Sequence, residues 1–104
     1  MSFYMVAGTV NWEQGAEALR RALHEQGLPF ELDDDELNRS DPAANLCLRP
    51  GFEHEWILVG DAAEEADLRQ ALQRLSDALQ ALGVGHGFEI HAPDNRLIGE
   101  ISCD

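Results

Sequence analysis

Apolar and polar positions along this chain follow two periods, one of two residues and one of three to four, and their succession predicts its elements. Phe3 to Val10 (FYMVAGTV) is apolar or small on both alternating faces, the pattern of a central strand covered on both sides. Asn11, with Gln14 three residues on, fits a helix N-cap, and Trp12, Ala16, Leu19 and Leu23 then recur along one stripe. Gly27 stops that helix, and as a left-handed C′ residue it would set Leu23 against Leu28 in a Schellman turn. The pattern weakens from Leu28 to Ala44, where a short extended piece at Pro29–Leu32 and one helical turn are the most it predicts. A structureless stretch of that length is unusual in a small domain, so local structure or function is expected there.

Asn45–Leu46–Cys47–Leu48–Arg49 alternates cleanly, as an edge strand does, and Pro50–Gly51 breaks it. Glu55 to Gly60 is apolar on both faces like the first strand. Asp61 with Glu64 resembles a capping box, and Leu68, Leu72, Leu75, Leu79 and Leu82 predict a long amphipathic helix that Gly83 ends with the same Schellman device. Gly87–Ala92 and Arg96–Ile101 flank Pro93–Asp94–Asn95, a hairpin turn in which Asn tolerates the left-handed position. Strand, helix, strand, strand, helix, strand, strand is the order of an α+β, ferredoxin-like βαββαβ two-layer sandwich with an added C-terminal strand, residues 1–104 forming one domain. In that topology the first and third strands are the interior pair.

Charge changes the picture more than composition does. Twenty acids face seven arginines and no lysine, a formal charge of −13, although 44% of residues are hydrophobic and supply a core. Such a surface repels phosphate backbones and anionic lipid within a Debye length of roughly 8 Å and favours basic proteins or cations. Nucleic acid and membrane are therefore excluded as partners. Between residues 31 and 67 stand twelve acids and two arginines. In a βαββαβ layout the segment after helix one and the start of helix two share one end of the sheet, so Asp33, Asp34, Asp35, Glu36, Asp41, Asp61, Glu64 and Glu65, with Asp94 near them, are expected to form an acidic pole that docks a basic partner. The same acids also complement a helix N-terminus and keep the chain soluble.

Catalytic and metal chemistry find little support. Asp33, Asp35 and Asn38 hint at a calcium loop, but Leu37, Asn38 and Ala44 stand where an oxygen ligand, a glycine and a glutamate are needed. His24, His54, His86 and His91 form no HxxxH or HExxH, and Glu53–His54–Glu55 is three adjacent residues of a loop. Gly83–Val84–Gly85–His86–Gly87 follows a helix and precedes a strand, the reverse of a phosphate loop. Ser40 and Asp41 lack a nucleophile elbow, and Cys47 has no adjacent base. Cys47 and Cys103 suit reduced thiols, and Met1 to Val10 has neither a basic n-region nor a run of the roughly 20 residues that span a bilayer, so a cytoplasmic protein without cofactors is expected.

The sequence thus supports a non-catalytic acidic interaction module, of the inhibitor or immunity type, that binds a basic protein. The alternative is a small cofactorless enzyme or small-molecule-binding domain of the dimeric ferredoxin-like kind, with His91 or Trp56 anchoring a ligand. In both readings the uncovered sheet face must meet a second copy, a ligand, or the segment 28–44 folded across it, and a homodimer through that face is the simplest expectation.

Overall fold

Pairing of the backbone decides where each element begins. The computed structural model describes residues 2–40 and 43–103. Strand β1 (Tyr4–Asn11) runs one residue past the expected end, because Asn11 donates its backbone N–H to the Gly85 carbonyl at 2.9 Å instead of capping a helix. Trp12 likewise pairs with the His54 carbonyl at 2.9 Å, and helix α1 (Ala16–Glu25) starts only after Gly15, with no side-chain cap. The C-terminus of α1 follows the sequence. Gly27 has φ 80°, its N–H reaches the His24 carbonyl at 3.0 Å, and the Leu28 N–H reaches that of Leu23 at 2.9 Å, which is a Schellman motif.

The segment read as a loop forms two strands, β2 (Glu31–Asp33) and β3 (Glu36–Ser40), joined by a tight turn in which Asp34 adopts φ 55°. An aspartate tolerates that left-handed conformation, so the acidic run is also turn chemistry. Among the described residues of this segment no helical turn forms. Strand β4 (Asn45–Pro50) then pairs with β3 on one side and β5 (Glu55–Ala62) on the other, which makes it internal rather than the expected edge. Asp61 stays in β5, so helix α2 (Glu65–Ala81) starts later, with Glu64 at the N-cap position and no side-chain cap. It ends at Gly83 (φ 71°) with a second Schellman pair, the Val84 N–H to the Leu79 carbonyl at 2.8 Å.

Strands β6 (His86–His91) and β7 (Leu97–Cys103) close the chain as a hairpin. Its turn is the expected one: Asn95 has φ 70°, the Asn95 N–H reaches the Ala92 carbonyl at 2.8 Å, and Asp94 Oδ1 accepts the Arg96 N–H at 3.1 Å.

The result is an α+β fold with one antiparallel sheet in the order β2-β3-β4-β5-β1-β6-β7. This differs from a four-stranded βαββαβ sandwich with one extra strand, since β2 and β3 extend the edge beyond β4. The expectation that β1 and the strand before α2 are adjacent interior strands holds, as β5 and β1 pair along eight residues. Both helices lie on one side of the sheet. Leu19 and Leu23 of α1 and Leu68, Leu72, Leu75 and Leu79 of α2 are fully buried against Val10, Leu37, Leu48, Leu58, Phe88 and Ile90. One polar pair interrupts this core, the Ser76 hydroxyl and His86 Nε2 at 2.7 Å. No helix among the described residues is long and apolar enough to cross a membrane.

Candidate protein-interaction surface

Alternation along each strand sends every second side chain away from the helices, and the cross-strand register shows which of these meet. One row runs Glu31, Asn38, Cys47, Val59, Ala7, Glu89, Glu100. The row beside it runs Arg49, Ile57, Thr9, Gly87, Ser102, with Asp33 and Glu36 beyond Arg49, and the row on the other side runs Ser40, Asn45, Asp61, Met5, His91, Leu97. Neither helix covers this face. The expectation that β1 and β5 are covered on both faces is therefore corrected for the single chain: Met5 is 51% exposed and Ile57 38%. Nor does the segment 28–44 fold across the face, because β2 and β3 continue the sheet sideways.

The two layers differ sharply in charge. Helix α1 carries Glu17 and Glu25 against Arg20 and Arg21, and α2 carries Glu65, Asp67 and Asp77 against Arg69 and Arg74. Several of these are paired, Arg20 to Glu17 at 2.6 Å and Arg69 to Glu65 at 2.7 Å. Glu17 is held below the usual carboxylate range by its hydrogen bond from Arg20. The open face instead presents Glu31, Asp33, Glu36, Glu55, Asp61, Glu89 and Glu100 against Arg49 alone, with His91 Nε2 3.8 Å from Glu89. A strip of Met5, Ala7, Ile57 and Val59 crosses its middle. Glu89 and Glu100 are direct cross-strand partners, and like charges so placed destabilise a sheet.

The acids expected to form a pole are split between the two ends of the sheet. Asp33 and Glu36 face the open side of the β2–β3 hairpin, with Asp34 and Asp35 in its turn beside Arg49 and Pro50. Asp61 lies at the opposite end, where its Oδ1 accepts from the Asn45 amide at 3.3 Å. Glu64 precedes the first turn of α2, Glu65 pairs with Arg69, and both sit at Asp61's end; Asp94 is there too, in the β6–β7 turn. Asp41 lies outside the described residues. Missing from the expected set were Glu31, Glu55, Glu89 and Glu100, which share the face with Asp33, Glu36 and Asp61. Strand parity was the available signal for Glu55, beside buried Trp56, and for Glu89, between buried Phe88 and Ile90.

A shallow groove of about 570 Å³ runs along the face over β5, β1, β6 and β7. Its floor includes Ala7, Thr9 and Ile57, and Glu55, Glu89 and Glu100 border it. Gly87 opens it: a Cβ added there would meet only Ser102 Cβ, at 4.0 Å. Of the two proposed ligand anchors, Trp56 is buried on the helix side of the sheet and cannot line this face, while His91 lies on the face but outside the groove.

Nucleophilic and metal chemistry are poorly served by these positions. Ser76 and His86 form a hydrogen-bonded pair, but Ser76 is fully buried and reaches no substrate. The Cys47 thiol is pushed above its ordinary pKa, first by burial, so it is not an activated nucleophile. Among the described residues no three His, Cys, Asp or Glu converge as metal ligands. Compared with known proteins, the chain matches no family model, no curated protein and no solved structure.

Proposed function

We propose that this chain is a non-catalytic interaction module that docks a basic protein on the open face of its sheet. The observation that carries the reading is the charge difference between the layers: nearly balanced helices on one side, seven carboxylates against one arginine on the other. Solubility alone has no preference for one face. The apolar strip adds area that loses water on contact, and the acids around it set the sign of the partner and its rate of approach. Under this reading the docking residues include Asp33, Glu36 and Asp61 of the original set, joined by Glu55, Glu89 and Glu100. A second copy is disfavoured as the occupant, because packing this face on itself sets carboxylates against carboxylates.

For the fold we infer a ferredoxin-like unit made of β1, α1, β4, β5, α2 and β6, widened by the β2–β3 hairpin at one edge and β7 at the other. Support comes from the order β4-β5-β1-β6 at the sheet centre and the two helices on one side. The second reading, a dimeric small-molecule-binding domain of that kind, has the groove in its favour. It loses Trp56 as an anchor and requires two acidic faces in contact.

The test titrates an isotope-labelled protein with an oligo-arginine peptide at low and moderate salt and follows backbone resonances. Shifts concentrated at Ala7, Thr9, Ile57, Val59 and Glu89, fading as salt rises, are expected. Shifts spread over α1 and α2, or equal on both layers, would refute the assignment of the face. Glu100→Gln should weaken the interaction while raising the stability of the free protein by about 0.2–1 kcal/mol, since it removes one of two opposed like charges.

A further inference from the structure

The two edges of the sheet are built differently. Strand β2 is three residues long, a length that protects an edge from further pairing, whereas β7 has seven. Part of β7 is also blunted. The register shift beside Ile90 and His91 leaves Ile98 as an extra residue on β7, and Arg69, itself held by Glu65 at 2.7 Å, donates to the Ile98 carbonyl at 2.8 Å. Beyond that bulge Gly99 to Cys103 continues in regular register with no proline, lysine or further bulge, and no described strand pairs with its outer side.

The side chains of this stretch state what a neighbour must carry. Glu100 and Ser102 face the open, acidic side, and Glu100 stands beside Glu89. Ile101 faces the helix side, packed against the core and only partly buried. A guanidinium on an added strand would stand beside Glu100, with Glu89 one strand further in, and an apolar residue alternating with it would extend the cover of Ile101. A second copy of β7 would instead bring another Glu89 and Glu100 alongside. We propose that the basic partner docks by adding an extended segment of alternating basic and apolar residues to the outer edge of β7 at Gly99–Cys103, its basic side chains toward Glu89 and Glu100. Backbone bonds then supply affinity and the alternating side chains supply selection. This rests on the reading of the open face as a basic-protein surface and adds the manner of docking.

The experiment compares three capped peptides of equal charge: alternating arginine and valine, the same residues in two blocks, and the alternating peptide N-methylated at every second residue along one edge. Affinity is measured by calorimetry and amide hydrogen exchange is followed in the whole chain. Strand addition predicts slowed exchange at Gly99–Cys103 with the alternating peptide and affinity about tenfold lower for each of the others, the loss expected from a few missing backbone bonds. Glu100→Gln should lower affinity for the alternating peptide. Equal binding of all three with no new protection in β7 overturns the strand pairing and leaves the acidic face standing. Binding by none overturns both.

Discussion

Replacing Ser76 by alanine tests how the polar pair that Ser76 and His86 form inside the core is satisfied. His86 Nδ1 lies 2.9 Å from the Val84 carbonyl oxygen, which can only accept, so Nδ1 carries the proton. In the neutral ring Nε2 is then an acceptor, and the Ser76 hydroxyl at 2.7 Å donates to it. Ser76 is fully buried and His86 only 6% exposed, and removing one oxygen leaves too little room for a water to take over. Ring reversal gives no relief, because it would cost the bond to Val84. An orphaned acceptor costs about 1–3 kcal/mol. Alanine recovers roughly 0.5 kcal/mol through its higher helix propensity, so a net loss of about 0.5–2.5 kcal/mol is expected. At near-neutral pH, urea unfolding followed by tryptophan fluorescence should show a lower midpoint at unchanged slope. The double variant S76A/H86F removes both partners and should lose less than the two single variants together. A Ser76→Ala variant as stable as the parent, or strictly additive losses, would refute the assignment of the hydrogen bond.

Three further outcomes follow from packing and burial. Gly60→Ala should destabilise the fold by about 1–3 kcal/mol in the same unfolding assay, because its Cβ would lie 2.4 Å from the Asn45 carbonyl oxygen and 2.9 Å from Leu46 Cδ2. Leu72→Ala, at a fully buried position on α2, should cost about 2–5 kcal/mol; a loss under 1 kcal/mol would mean that the helix stripe is not packed as described. Cys47 should alkylate with iodoacetamide at pH 8 more slowly than glutathione does, since burial foremost raises its thiol pKa and thins the thiolate, and a faster rate would contradict that environment.

What the sequence discloses depends on whether a local signal survives its tertiary setting. The leucines of α2, the glycine ends of both helices and the Pro93–Asn95 turn were legible because each rests on a neighbour within a few residues. The starts of both helices were not. Asn11 and Asp61 are good capping residues, but their backbones are drawn into the pairing of β1 with β5, so each strand extends to include them and each helix begins later. The β2–β3 hairpin was hidden for another reason. Glu31, Leu32 and Asp33 are all exposed, and inward-facing Arg39 interrupts the apolar alternation of β3, its guanidinium reaching the Pro29 carbonyl at 2.9 Å. Without contrast between faces a strand has no periodic signature.

The same hairpin explains why the expected acidic pole became an acidic face. Density of acids along the chain pointed to residues 31–67, and a loop there would have gathered them at one end of the sheet. Two strands in that place reverse the chain once more, which carries Asp34 and Asp35 to one end while Asp61 stays at the other. What survives such rearrangement is strand parity, since a residue that alternates with buried apolar neighbours faces outward wherever its strand is placed. By that rule Glu55 and Glu89 belong to one surface, and cross-strand register adds Glu31 and Asp33 at one edge and Glu100 at the other, although they lie far apart in sequence. Glu89 and Glu100 weigh most, for they are set opposite each other where a neutral residue would stabilise the sheet. An uncompensated pair of this kind, beside the longer of the two open edges, locates the charge at the place where a basic strand would both neutralise it and extend the sheet.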